Sequence, residues 1–218
     1  MEELLKEIAA VGHRNLAERI LLFGSRARGD NRDRSDIDIA VFGMPKENRI
    51  VFSETIEKLP TLLDFDIIFV DEKTDEALLQ NIIKDGVTIM NKLTEKYNKF
   101  SSSISRLEES INEYEVYKIS SSRDGVIQRF EFCAELAWKT TREYLCQQGY
   151  VEINSPKAVM KQAYSDGLID DEHSWIELLN ARNLTSHIYD ENTAGEIFES
   201  IKTTFFPLLV ELNRKLSK

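Results

Sequence analysis

All of the strand-like patterning in this 218-residue chain is confined to its first third. Segments 19–23, 36–42 and 62–70 are rich in β-branched and aromatic residues at strand spacing. From "NKLTEKYNKFSSS" onward every apolar pattern repeats at helical spacing. A chain that changes period once is expected to fold as two units of different class, with the boundary near residues 91–96. The length fits that division, because single domains usually run to ~100–200 residues.

The first unit, residues 1–93, reads as a small α+β domain. A helix over 2–18 leads into the strand at 19–23, and a second strand covers 36–42. A helix from about 47 to 58 stops at Pro60, a third strand covers 62–70, and a helix over 75–84 ends at the capping Gly86. The second unit, residues 94–218, reads as an antiparallel bundle of about five helices. Its helices span about 97–118, 125–148, a stretch opened by Ser155-Pro156 and closed by Gly167, 171–188, and a last one opened by a Thr193/Glu196 capping box and kinked at Pro207. The serine tracts "SSSISR" and "SSSRDG" read as turn or cap segments, Trp138 and Trp175 as core, and Cys133 and Cys146 as reduced core thiols too far apart on one helix to bond.

The net charge of −10 is shared evenly: residues 1–93 hold 13 Lys+Arg against 18 Asp+Glu, and residues 94–218 hold 15 against 20. Neither half is a bulk polyanion binder, so any nucleotide or nucleic-acid site must rest on local clusters. No apolar run approaches the ~20 residues of a membrane span, and the acidic amphipathic start is unlike a signal peptide, so a cytoplasmic protein is expected.

The strongest local cluster is "LLFGSRARGDNRDRSDIDIAVFG", residues 21–43. Alternation in the second strand puts Asp36, Asp38 and Ala40 on one face and Ile37, Ile39 and Val41 on the other, with the two carboxylates ~7 Å apart at the backbone. Carboxylates on one face can converge on Mg²⁺, which takes oxygen ligands. Asp66 on the third strand is the candidate third acid, with Asp64 on the same face in reserve. Gly24 and Ser25 end the first strand, where a close backbone approach and a hydroxyl suit phosphate oxygens. Arg26, Arg28, Arg32 and Arg34 crowd the loop between, either to neutralise a triphosphate or balanced by Asp30 and Asp33.

Taken jointly, the Gly-Ser strand end, the arginine loop, "DID" and "DFDIIFV" resemble the minimal nucleotidyltransferases of the DNA polymerase β superfamily, over residues 1 to about 93. The resemblance implies a mixed sheet flanked by helices and transfer of a nucleoside monophosphate from ATP or another NTP. Asp36 and Asp38 would ligate Mg²⁺, Asp66 would ligate it and help deprotonate the attacking hydroxyl, and Gly24, Ser25 and Arg26 would hold the triphosphate.

In the second unit "ELLNARNLTSHIYDENT" holds Arg182 and His187, five apart and so ~140° offset on one helix, which excludes a metal pair. An arginine and an imidazole on nearby turns suit a phosphodiester, although such groups near a helix end are commonly surface or capping residues. Residues 97 to about 216 resemble a HEPN domain of the nucleotidyltransferase substrate-binding type, whose R-x4-H motif "RNLTSH" matches with Asn183 after the arginine. That implies a metal-independent RNase with Arg182 and His187 catalytic, RNA as substrate, and a homo-oligomer formed through this domain. Tyr189 extends the match to R-x4-H-x-Y. In related toxin-antitoxin pairs the transferase attaches AMP to this tyrosine and silences the RNase, as added phosphate beside Arg182 and His187 would. Those modules are usually separate proteins; here they are joined by a short linker, which holds them at high effective concentration. The rivals are a transferase whose helical unit binds a small-molecule acceptor, and a binding or scaffold protein with lapsed sites.

Overall fold

A computed structural model of the protein describes residues 1–150, 153–185 and 191–217. The chain divides into two compact units, Met1–Lys92 and Leu93–Lys218.

In the first unit, α1 (Glu2–Arg14) leads to β1 (Arg19–Phe23), a short α2 (Gly24–Arg28), β2 (Ile37–Phe42), a 3-10 turn (Lys46–Asn48), α3 (Arg49–Glu57), β3 (Phe65–Val70), α4 (Glu76–Asp85) and β4 (Val87–Asn91). The strands form one mixed sheet in the order β3-β2-β1-β4. β1 runs antiparallel to both β2 and β4, and β2 runs parallel to β3. Ile37, Ile39 and Val41 pack under α1 and α3 with Ile8, Val11, Phe52 and Ile56 in the main core. The opposite face is lighter: Leu21, Ala40 and Ile82 of α4 form a small cluster there. Asp38 lies two residues from Ala40 and therefore projects to that thinner side.

Three boundaries differ from the sequence expectation. The first helix ends at Arg14, not 18, because Leu16 takes a positive φ and its amide turns back to the His13 carbonyl. The third strand starts at Phe65, not 62; residues ahead of it turn, and only the Asp64 carbonyl joins the ladder, accepting from Ile37 N–H at 2.9 Å. Asp36 stands one residue outside β2. Two elements went unpredicted: α2, concealed among arginines, and β4, a five-residue edge strand with a register shift against β1.

The second unit holds α5 (Lys92–Tyr117), α6 (Ser120–Gln147), α7 (Pro156–Ser165), α8 (Glu172–Leu184), α9 (Glu191–Ser200), a π-helical turn (Ile201–Phe205) and α10 (Phe206–Leu216). Its core gathers Phe100, Leu107, Phe130, Ala137, Trp175, Leu178 and Leu209, with Phe130 stacked on Phe205 at 5.5 Å. Neither serine tract is a turn. Ser103 and Ser105 lie inside α5 and donate back to the carbonyls of Phe100 and Ser101, which lets serine sit in a helix; "SSSRDG" forms the first turns of α6, the break falling at Lys118 with its positive φ. Ser155 caps α7 as expected, its Oγ accepting from Ala158 N–H, and Asp171 caps α8. Thr193 lies within α9, which opens two residues earlier, so the expected capping box does not start that helix. Pro207 falls at the head of α10, and the π turn precedes it, where the ladder must accommodate a missing donor. Trp138 is only partly buried against the core, and Cys146 is half-buried where Cys133 is fully so.

Candidate active site

The sheet register brings the two central acids together. Asp38 of β2 pairs directly with Asp66 of β3 in parallel register, which sets their backbones ~4.8 Å apart with side chains on the same face. Across the other edge of β2, Asp38 pairs with Phe23, the last residue of β1, and so faces the Gly-Ser turn. Gly24 has φ of +69°, and a Cβ there would lie 2.2 Å from Asp38 Oδ2. Only glycine fits both that conformation and that contact, which explains the residue type at the end of β1.

Burial raises the pKa of Asp38 above the usual carboxylate range, and the neighbouring charges of Asp66 and Asp36 raise it further against the opposing pull of Arg28 and Arg26. The three acids therefore act on one another. They do not yet form a cage: among the described residues no three His, Cys, Asp or Glu side chains converge closely enough to hold a metal. Asp36 and Asp66 are exposed and Asp38 half-buried.

Two of the four loop arginines are engaged by the loop and its neighbours. Arg26 is tied to its own loop: its Nε and Nη2 donate to the carbonyls of Ser35 (2.9 and 2.6 Å), Asp36 (3.1 Å) and Asp33 (3.2 Å), fastening the loop that delivers the chain into β2. Arg28 pairs with Asp30 at 3.2 Å and Asp85 at 3.8 Å. Arg26 and Arg28 are thus drawn to backbone and to other acids, and the carboxylates of Asp36, Asp38 and Asp66 have no hydrogen bond or ion pair among the described residues. An all-oxygen donor set whose mutual repulsion Arg28 and Arg26 offset only in part fits a hard divalent cation. Mg²⁺ needs only one or two protein carboxylates, the rest of its shell coming from water and substrate phosphates, so the Asp38/Asp66 pair suffices without a preformed cage.

In the second unit Arg182 lies near the end of α8 and reaches across to α6. Its Nη2 donates to Glu135 Oε2 at 2.7 Å, and its Nη1 donates to Asn183 Oδ1 at 3.1 Å. The same Glu135 oxygen accepts from Trp138 Nε1 at 3.0 Å, and Oε1 pairs with Lys139 at 2.8 Å. Burial pushes the Glu135 carboxyl up, but its contacts with Lys139, Trp138 and Arg182 outweigh that and hold it below the usual range. Glu135 was missed from sequence, because with Lys139 four residues on it looks like an ordinary exposed helix pair. His187 and Tyr189 lie outside the described residues.

A mixed sheet with an acid pair beside a Gly-Ser turn defines a nucleotidyltransferase-type unit, and a helical bundle follows it. The first unit matches the model described as Polymerase beta, Nucleotidyltransferase over residues 6–95. The chain belongs to the family described as nucleotidyltransferase substrate binding protein like, whose model matches residues 95–218 in the HEPN-like bundle. The probable ribonuclease HepT of Haemophilus influenzae is 34% identical over 84 residues, which are 35% of this chain and 56% of that protein. The match thus spans little more than half the length of that relative. A solved Haemophilus influenzae structure, described as revealing the fold of a substrate binding domain of a nucleotidyltransferase, has a TM-score of 0.50 at 25% identity over 56% of this chain and 99% of its own. Among the described residues no helix is long and apolar enough to cross a membrane.

Proposed function

We propose that the chain transfers AMP from ATP to a protein hydroxyl, that of Tyr189, forming a phosphodiester to the tyrosine oxygen as the α–β phosphoanhydride breaks and pyrophosphate leaves, and thereby restrains an RNase built around Arg182 and His187. The observation that carries the transferase half is the Asp38/Asp66 register pair, with Asp38 lying against Gly24 and neither carboxylate hydrogen-bonded or ion-paired among the described residues. Asp36, Asp38 and Asp66 would hold Mg²⁺, which when bound supplies charge neutralisation for the triphosphate and lowers the pKa of the attacking hydroxyl. Asp66, the more exposed of the register pair, accepts the proton of that hydroxyl. Arg26 holds the loop before β2 and so fixes where Asp36 and Asp38 stand. Gly24 lets the backbone come close enough for its turn amides and the Ser25 hydroxyl to meet phosphate oxygens.

The RNase half is supported by the similarity to a probable ribonuclease and by the anchored Arg182, whose guanidinium is held in one orientation by Glu135 and remains partly exposed to stabilise phosphodiester charge. The site's dependence on a second copy, through the helical unit, belongs to the same proposal. Intact mass after incubation with ATP and Mg²⁺ tests it: one nucleotide-sized increment, absent in Tyr189→Phe, is expected. Label found on an added small acceptor and never on the chain assigns the transferase a small-molecule substrate instead. Parallel assays on single-stranded RNA should show cleavage by the unlabelled full chain and none by Arg182→Ala; cleavage persisting in that variant removes the RNase claim.

A further inference from the structure

Beside Arg182 the second unit carries a half-enclosed cleft of ≈ 260 Å³ between α6, α8 and the start of α7. Ala134, Trp138, Pro156 and Leu179 form its apolar walls, and Arg182 and Lys157 stand on its polar side. Drug-sized ligands occupy pockets of about 300–1,000 Å³, so this one has room for a single flat group with a short polar attachment. The walls are organised by one carboxylate. Glu135 fixes the edge of the Trp138 indole through Nε1 at 3.0 Å and holds Arg182 at 2.7 Å, so ring and guanidinium are set side by side. Lys139 lies 5.7 Å from the centroid of the same ring. Counting Arg182 and Lys157 against Glu135, the lining of the cleft keeps an excess of positive charge in a chain whose net charge is −10. α7 begins here, and its N-terminal end adds to the attraction for an anion.

We infer that this cleft is a subsite for one nucleotide unit, its base against Trp138, Pro156 and Leu179 and its phosphate on Arg182 and Lys157. An aromatic wall next to an arginine is the arrangement by which proteins take up unstacked bases of single strands. The inference deepens the RNA-cleavage reading and rests on it for the identity of the polymer. The same chemistry has two sources: a nucleotide of an RNA strand, or the AMP that the first unit transfers. Glu135, which also lines the cleft, is a positioning residue in this scheme: it orients Trp138 and Arg182, and its own charge is engaged by Arg182 and Lys139.

Trp fluorescence of the full chain, in EDTA, reads the site directly, because Trp175 is 1% exposed and leaves Trp138 as the accessible reporter. Titration with a three-nucleotide RNA and, separately, with AMP should give saturable quenching, abolished in Trp138→Phe. Binding should weaken ~tenfold or more in Arg182→Ala and a few-fold in Lys157→Ala. Arg182→Lys, with circular dichroism on every variant, covers the event that Arg182→Ala disturbs the bundle. Quenching by RNA assigns the subsite to the strand; quenching by AMP without RNA assigns it to the transferred nucleotide; either supports the inference. No quenching by either ligand at millimolar concentration, or quenching at full strength in both Arg182→Ala and Lys157→Ala, overturns it. RNA cleavage followed on the same samples separates the two claims: quenching without cleavage leaves the subsite and removes the RNase, and cleavage without quenching does the reverse.

Discussion

Replacing Gly24 with alanine tests how closely the turn after β1 is fitted to Asp38. At φ of +69° the backbone is left-handed, where an L side chain costs ~1–2 kcal/mol. The added Cβ would also lie 2.2 Å from Asp38 Oδ2 and 2.9 Å from its Cγ. These atoms end a side chain, so relief comes by swinging the carboxyl away, and the group that leaves is one of the register pair. Displacement by ~1 Å at a reacting centre costs ~100-fold in rate. Gly29 supplies the control: its φ is +78° and no heavy atom lies within 4 Å of the position its Cβ would take. Gly29→Ala therefore carries the same backbone cost and leaves Asp38 alone. Both variants should lose ~1–2 kcal/mol, at ~4–8 °C in Tm per kcal/mol for a unit of this size, by thermal unfolding. In a labelled-ATP transfer assay only Gly24→Ala should fall, by ~100-fold. Full activity in Gly24→Ala, or an equal loss in Gly29→Ala, refutes the fitted contact between Gly24 and Asp38.

Other outcomes follow from the same structure. Lys96 pairs at 2.5 Å with Glu143, whose side chain is 3% exposed, so Lys96→Met takes an ion-pair partner from a buried carboxylate and should lower stability by ~2 kcal/mol, below the 3–5 of a fully buried pair because Lys96 is itself part-exposed; an unchanged unfolding midpoint in urea contradicts this. Asp38 titrates above its unfolded value, so the folded state binds the extra proton and the contribution of this one group to stability is smaller at neutral pH than in acid. Asp38→Asn should then raise Tm at pH 7, with the gain fading as pH falls through the ordinary carboxylate range, and a Tm that drops at pH 7 would contradict it. Burial pushes the Cys133 thiol up to about 12, so alkylation at pH 8 should label Cys133 only in denaturant, as read by peptide mass; native labelling there would show the α6 core to be open.

How far each feature was legible depends on whether its signal is local. β2 and the core part of β3 declare themselves because Ile37, Ile39 and Val41 alternate with polar or small residues, and the same alternation puts Asp38 and Asp66 on the thin side of the sheet. Their pairing residue against residue is a matter of register between strands separated by α3, which no local pattern encodes. β4 was missed because five residues at a sheet edge need little apolar alternation. The serine tract in α5 misled because serine's turn preference is satisfied instead by back-bonding within the helix. Arg26 was read by its charge, yet its geometry is set by carbonyls seven to ten residues away. Glu135 could be found only once α6 and α8 were known to be neighbours.

The most direct measurement is the rate at which labelled AMP from ATP becomes covalently attached to the chain, in Mg²⁺, for the natural sequence, Asp38→Asn and Asp66→Asn. Attachment in the natural chain and a fall of ~1,000-fold or more in each variant, with folding preserved, is the predicted result. Attachment that proceeds undiminished in both variants would remove the acid pair from the chemistry and with it the proposed transferase mechanism.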